Sequence, residues 1–287
     1  MDWARTKTLF IIAFALVNLF FASQIWLIPA YLSAPRSLNP QQVEIRLQEL
    51  RFRGIKVTAP VPRTMQPQRM MEFQAIALRY NLTADKLLGP GWQKVEEEGF
   101  QRGEAILQIS NDGSLIYTNP VGPGGFNQTK AEAQSTAESF LEETLGLPQD
   151  ARLIMSRNLG GTIYLEYRQI WRRQQLAVSY IRLWIAQEQV ARMEWYWAEP
   201  AGRLATDLAI IPSTGALLIA ADYLLPPAVV NNVFLSWYSE PLSAARWRVP
   251  CVWVIETVDT RLYINAFTGE LEAREEIPAG ELPANVE

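Results

Sequence analysis

Histidine, cysteine and paired carboxylates carry most chemistry at neutral pH, and the first of these is missing: the 287 residues contain no histidine. Its absence removes the commonest general base, the commonest metal ligand and every Ser-His or Cys-His nucleophile arrangement. The single cysteine, Cys251, can neither close an intramolecular disulfide nor build a multi-thiolate zinc site. It sits in the apolar run from Val249 to Ile255 and reads as a small buried hydrophobe. Glu96, Glu97 and Glu98 stand in a row; adjacent residues share neither a helix face nor a strand face, and no second acidic motif stands at ligand spacing. They read as a solvated charge run, not as an acid/base pair or a cation site. The expectation is a protein that is not an enzyme, with no catalytic residues, cofactor or metal.

Tryptophan is the other chemically distinctive set. Trp171, Trp184, Trp195, Trp197, Trp237, Trp247 and Trp253 would form a glycan-stacking platform if their rings were exposed. Trp195 and Trp197, however, recur at period two with Met193, as residues on one buried sheet face do. Asn81-Leu82-Thr83 and Asn127-Gln128-Thr129 match glycosylation sequons, but both threonines are better explained as helix caps. A net charge of -4 and a pI near 5.2 supply no positive field for phosphate backbones, so nucleic acid is not an expected partner.

Leu9 to Ile28 is a run of twenty residues without a charge. As a helix rising about 1.5 Å per residue it would span the roughly 30 Å hydrocarbon layer. Its many Leu, Ile, Val and Phe residues should outweigh the insertion cost of Asn18, Ser23 and Gln24. Arg5 and Lys7 precede the run, whereas the first charge after it is Arg36. The positive-inside rule therefore predicts a cytoplasmic N-terminus and an extracytoplasmic remainder, in a single-pass cell-membrane protein. A cleaved signal peptide is the competing reading, but the stretch exceeds a normal h-region, and Ser33 and Ala34 are followed by Pro35. Within the run Ala15, Asn18 and Ala22 fall at helical spacing, a small-and-polar stripe where a partner helix could approach.

The elements that follow predict an α+β fold of antiparallel sheets with packed helices. Residues 1–8 form a cytoplasmic stub, 9–28 the transmembrane helix and 29–56 a linker and helix. In the last of these, Asn39 caps a helix with Pro40 at its first position, which runs from Gln41 to Phe52 and stops at Gly54. Residues 57–125 make a first extracytoplasmic module: an extended Val57–Pro67, a strand Phe73–Leu78, a helix Thr83–Leu88 capped by Thr83, and a hairpin turning at Asn111-Asp112-Gly113. Gly122 to Gly125 mark its end.

Residues 126–272 make a second region. Thr129 and Glu132 form a capping box opening a helix that ends at Gly146, followed by strands Leu153–Arg157, Thr162–Trp171, Leu176–Ala186 and Val190–Trp197. In the second of these strands Ile163, Leu165 and Tyr167 share one face, and Glu166 and Arg168 the other, the pattern of half-buried antiparallel strands. A helix Pro212–Leu224 and strands Val229–Tyr238, Arg246–Val258 and Arg261–Phe267 then repeat the order of helix followed by strands, so two similar modules are expected. Residues 273–287 are acidic with few large apolar groups and read as a mobile tail.

The opening Met1-Asp2-Trp3, the basic Arg5 and Lys7, the run Thr8-Leu9-Phe10-Ile11-Ile12-Ala13-Phe14 and Asn18-Leu19-Phe20 together resemble the N-terminus of the YycI family. The match is specific over about the first thirty residues and diffuse beyond. Asn265-Ala266-Phe267-Thr268-Gly269-Glu270 also ends a strand and turn as that family's C-terminal module does. The resemblance implies a bitopic accessory regulator of the WalK/YycG type of sensor histidine kinase, acting with YycH in cell-wall homeostasis, with a YycH/YycI-like extracytoplasmic region and no catalytic residues. The expected partners are that kinase, YycH and the lipid bilayer, with a homodimer also compatible. A regulator of this kind needs only to bind one kinase conformation better than another. The alternative of a different class is a membrane-tethered extracytoplasmic module that binds glycan or peptide.

Overall fold

The computed structural model describes residues 3–22, 36–96, 99–121 and 128–278. Among the described residues it is a mixed structure of five helices and sheets that are antiparallel but for one short pair. Helix α1 spans Trp3–Ala22, α2 Pro40–Phe52, α3 Tyr80–Leu88, α4 Lys130–Glu143 and α5 Ser213–Ala220. The expected apolar run is thus helical from residue 9 to 22, and residues 23–28 lie outside the described residues. Among the described residues no helix is long and apolar enough to cross a membrane.

The largest sheet has eight strands: β5 (Gln93–Glu96), β6 (Gly99–Arg102), β7 (Ala105–Ile109), β8 (Leu115–Thr118), β12 (Gln189–Tyr196), β11 (Gln174–Ala186), β10 (Thr162–Trp171) and β9 (Ala151–Asn158), in that spatial order. Every neighbouring pair is antiparallel. The β7–β8 hairpin turns where Asn-Asp-Gly sits: Gly113 takes φ +86°, its N–H donates to Ser110 O at 2.9 Å, and Asp112 accepts from Ser114 N. Because β8 pairs with β12, strands from both sides of the expected module boundary share one sheet. Gly122 to Gly125 themselves lie outside the described residues.

A second sheet of four strands orders β15 (Asn232–Trp237), β17 (Cys251–Glu256), β18 (Thr260–Asn265) and β19 (Leu271–Glu276). Smaller pairings tie in the remainder. β4 (Met71–Ala75) lies between β13 (Ala198–Arg203) and β16 (Arg246–Val249). β2 (Ile55–Val57) runs parallel to β14 (Ala228–Val230), and β1 (Arg36–Ser37) pairs with β3 (Thr64–Met65). Pro200, which has no N–H to give a ladder, is accommodated on edge strand β13 beside a register shift.

Packing makes four layers. α3 and α4 bury Ala84, Leu87, Ala133, Ala137 and Leu141 on one face of the eight-stranded sheet, against Leu165, Ile181, Leu183 and Met193. α5 and α2 bury Ala216, Leu217, Ala220 and Leu50 against Trp253, Ile255, Leu262 and Ile264 on the outer face of the four-stranded sheet. The two sheets meet through Ala177, Val252, Val254 and Tyr263.

Several expectations need correcting. β10 is not half-buried: Glu166 and Arg168 are as buried as Leu165, because the second sheet covers their face. Thr83 does not cap α3, which begins earlier after Arg79 with no side-chain cap, and Thr83 is buried inside the helix. The strand expected over Val229–Tyr238 is interrupted at Asn231, and its first part joins β2. The strand expected over Arg246–Val258 is split at Pro250, whose missing N–H ends one ladder before the next begins. Residues 273–276 of the expected tail form part of β19, and Ile277 N–H donates to Asp259 O.

Candidate functional site

The stripe Ala15, Asn18 and Ala22 lies on α1. Around it the apolar side chains of 10–21 point outward on every side of the helix, from 50% exposed at Val17 to 71% at Phe14. Asn18 does not present a free amide: its Nδ2 donates to Phe14 O at 2.9 Å, one turn back along the same helix. The Asn18 Nδ2 is thus turned onto its own helix, in the manner of a side chain that bonds back to the preceding turn.

The densest group of charges lies elsewhere, between the two sheets, and the sequence reading missed it. Period-two alternation sends Glu166 and Arg168 of β10 and Arg182 of β11 to the inner face. Arg261 and Tyr263 of β18 and Glu275 of β19 meet them from the second sheet. Arg261 Nη1 and Nη2 donate to the two Glu166 oxygens at 2.9 and 3.2 Å, and its Nε donates to Glu256 Oε1 at 2.5 Å. Arg168 Nε donates to Glu166 Oε1 at 2.6 Å, its Nη1 to Ala177 O at 2.7 Å, and its Nη2 to both Glu275 oxygens at 3.3 Å. Tyr263 OH donates to Glu275 Oε2 at 2.6 Å, and Arg182 bridges Glu275 and Glu194.

Burial pushes the Glu166 carboxyl toward its neutral form, but Arg168, Arg261 and Arg182 outweigh it and hold the group well below the usual carboxylate range. The Glu275 carboxyl is lowered in the same way, with Arg168, Arg182 and Arg261 outweighing its desolvation. Desolvation opposes the charge on Arg168 and Arg261 too, yet the carboxylates keep both guanidiniums firmly protonated. With its carboxylates held charged and its guanidiniums protonated, the cluster holds no group poised to exchange a proton near neutral pH. It locks two sheets together.

The remaining sequence candidates resolve simply. Trp195, Trp197, Trp237, Trp247 and Trp253 are buried, and Trp237 and Trp253 spend their indole N–H groups on Arg69 O and Ile211 O. Trp171 and Trp184 are half-buried. Cys251 is fully buried and burial pushes its thiol up. Glu97, Glu98 and Asn127 lie outside the described residues, and among the described residues no group of three or more His, Cys, Asp or Glu could hold a metal ion.

Two open clefts among the described residues have charged linings. One, of about 660 Å³, runs between α4 and the β11–β12 turn and is lined by Glu132, Ser135, Ser139, Glu143 and Glu188; Glu132 is already committed to the α4 capping box. The other, of about 740 Å³, lies where the β10–β11 turn faces β13 and is lined by Arg69, Trp171, Arg172, Arg203 and Asp207.

No family model matches the chain, and no curated protein does. Among solved structures, the C-terminal domain of YpeB from Bacillus megaterium is 11% identical with a TM-score of 0.37, covering 71% of this chain and 99% of that one. An uncharacterized protein from Eubacterium rectale is 10% identical with a TM-score of 0.41, covering 76% of this chain and 90% of that one.

Proposed function

We propose that this protein is a membrane-anchored accessory regulator of a sensor histidine kinase of the WalK/YycG type, acting beside a YycH-like protein through binding and not catalysis. The observation that carries the reading is α1. A helix whose apolar side chains are exposed around its whole girth has no stable place in water, and Asn18, the one polar residue of 9–22, turns its Nδ2 back onto its own backbone. Lipid, with a neighbouring membrane helix along the Ala15–Asn18–Ala22 stripe, supplies the missing surroundings. The apolar part of α1 over 9–22 rises only about 21 Å, so the proposal requires the helix to continue through Ile28 to cross a layer of roughly 30 Å. Arg5 and Lys7 then keep the N-terminus cytoplasmic and place the two sheets outside.

The competing glycan-platform reading is weakened by the burial of Trp195, Trp197, Trp237, Trp247 and Trp253, whose faces are spent on the core. The test is fractionation and co-purification of the full-length protein. The expected result is a chain that stays with membranes after a high-salt wash, is cleaved by protease added outside wall-stripped cells, and co-purifies with the kinase. Replacing 9–28 by an unrelated apolar helix should weaken that association. A chain released by salt, protected from external protease, or beginning downstream of Ile28 would overturn the proposal.

A further inference from the structure

The cleft of about 740 Å³ beside the β10–β11 turn gathers three guanidiniums and a single carboxylate. Arg69 is neutralised: its Nε and Nη2 donate to the two Asp207 oxygens at 2.7 and 3.0 Å. Arg172 and Arg203 are not, for among the described residues neither has a carboxylate partner. Both are instead fixed by aromatic rings. Arg172 lies 4.4 Å from the Trp171 ring, and Arg203 lies 5.4 Å from Trp171 and 5.0 Å from Trp237. Gln174 Oε1 accepts a further hydrogen bond from Arg203 Nη2.

Cation–π contact holds a guanidinium in place while leaving its in-plane donors unspent, which is the arrangement a bidentate oxyanion needs. Arg172 is delivered there by a turn in which it and Arg173 adopt φ +48° and +67°, a left-handed conformation usually left to Gly or Asn. Arg203 is held below the usual arginine range, first by desolvation and then by the like charges of Arg172 and Arg69. An anion in the cleft would relieve that crowding.

We propose that this cleft, lined by Arg69, Arg172 and Arg203 around Trp171, binds a ligand carrying two or more phosphate groups. Two uncompensated guanidiniums at one cavity call for more than one negative charge. A phosphate presents three acceptor oxygens and nearly two charges, against two oxygens and one charge for a carboxylate, so it answers more fully two guanidiniums converging from a turn and a strand. The cavity is roomier than a single phosphate requires. The inference stands apart from the membrane reading and does not depend on it.

The test is isothermal titration of the full-length protein in detergent at fixed ionic strength, with pyrophosphate, inorganic phosphate and succinate as probes. Pyrophosphate should bind, phosphate more weakly, and succinate weakest. Arg172→Gln and Arg203→Gln should each weaken pyrophosphate binding by about tenfold or more. Arg173→Gln, which removes the same charge from a residue outside the lining, should leave it unchanged. Asp207→Asn should tighten binding by freeing Arg69. No pyrophosphate binding by the unmodified protein would overturn the proposal. So would equal losses in Arg173→Gln and Arg172→Gln, which would mark diffuse surface charge, or succinate binding as tightly as pyrophosphate. Unfolding midpoints measured alongside distinguish loss of a ligand contact from loss of the fold, and a normal midpoint with unaltered binding in both Arg172→Gln and Arg203→Gln also sinks it.

Discussion

Arg261 donates both terminal nitrogens to Glu166 across 95 residues of sequence, and both side chains are at most 1% exposed. Two strands from two different sheets are therefore joined by a paired fork in a dry environment. A buried ion pair of this kind need not add net stability over a well-packed apolar substitute, but removing one member strands the other charge. Glu166→Gln should lower unfolding free energy by about 3 kcal/mol, because Arg168 and Arg261 both lose their shared carboxylate. Denaturant unfolding of the full-length protein measures it. Glu49→Gln is the contrast: its pair with Arg46 is exposed on α2, and its midpoint should not move. Equal effects of the two changes would show that burial of the network has been misjudged.

The same network sets the acid limit of stability. Glu166 and Glu275 have folded-state pKa values below the ordinary glutamate value of 4.5. The stability they contribute is complete above that unfolded-state value, and it is lost as pH falls through the lowered folded-state range. Unfolding midpoints should be level toward neutral pH and decline below about pH 4.5. In Glu166→Gln the acid decline should be visibly shallower. An unchanged acid slope in that variant would remove Glu166 from the explanation.

How far the sequence discloses this arrangement depends on the range of the interactions. The alternation of Ile163, Leu165 and Tyr167 with Glu166 and Arg168 is plainly readable, and the strand Thr162–Trp171 is observed with those bounds. What covers its polar face is not readable. A period-two row of charges looks the same whether it faces water or a second charged sheet, and Arg261 and Glu275 lie far along the chain. Glu275 is further hidden in a segment whose acidic composition suggests a tail, although Leu271 and Ala273 alternate with Glu272 and Arg274 as a strand's residues do. The faint signal available was complementarity: Glu166 and Arg168 on one strand, Arg261 and Tyr263 on another, each alternating with large apolar residues. Caps and turns were legible at Asn39, Thr129 and Asn111-Asp112-Gly113 because the whole interaction fits within four residues. Thr83 lies inside its helix and not at the cap, and a threonine before an apolar run has the same local pattern in either place.

Thr129 offers a clean local test. Its Oγ1 accepts from Glu132 N at 3.3 Å while Glu132 Oε2 accepts from Thr129 N at 2.8 Å. Thr129→Ala should therefore cost the ordinary worth of an N-cap, about 1 kcal/mol, and Thr129→Ser should recover most of it. If both variants unfold at the midpoint of the unmodified protein, α4 is not held by its cap.

Under the proposed membrane reading of α1, Asn18 separates two ways in which such a helix would recognise a partner. Its amide already serves Phe14 O, so recognition along the proposed stripe rests on close approach and not on a hydrogen bond. Asn18→Leu should keep kinase co-purification largely intact. Ala15→Leu, which thickens the same stripe, should weaken it. Loss of association in Asn18→Leu alone would mean that the amide turns outward to a partner in the bilayer.

Cys251 reports the opening of the core between α5 and the four-stranded sheet. Its side chain is inaccessible beside Trp253 and Val249, and burial raises the thiol far above its usual value of 9.0. A thiol reacts as the thiolate, and here both access and ionisation are denied. In the folded protein a disulfide reagent should therefore label Cys251 only as fast as the core opens, with the rate rising in step with denaturant and in Glu166→Gln. Leu217→Ala leaves a cavity in the same cluster and should accelerate labelling further. Rapid, stoichiometric labelling of the unmodified protein without denaturant would place Cys251 at a surface, and the packing of α5 over β17 would have to be redrawn.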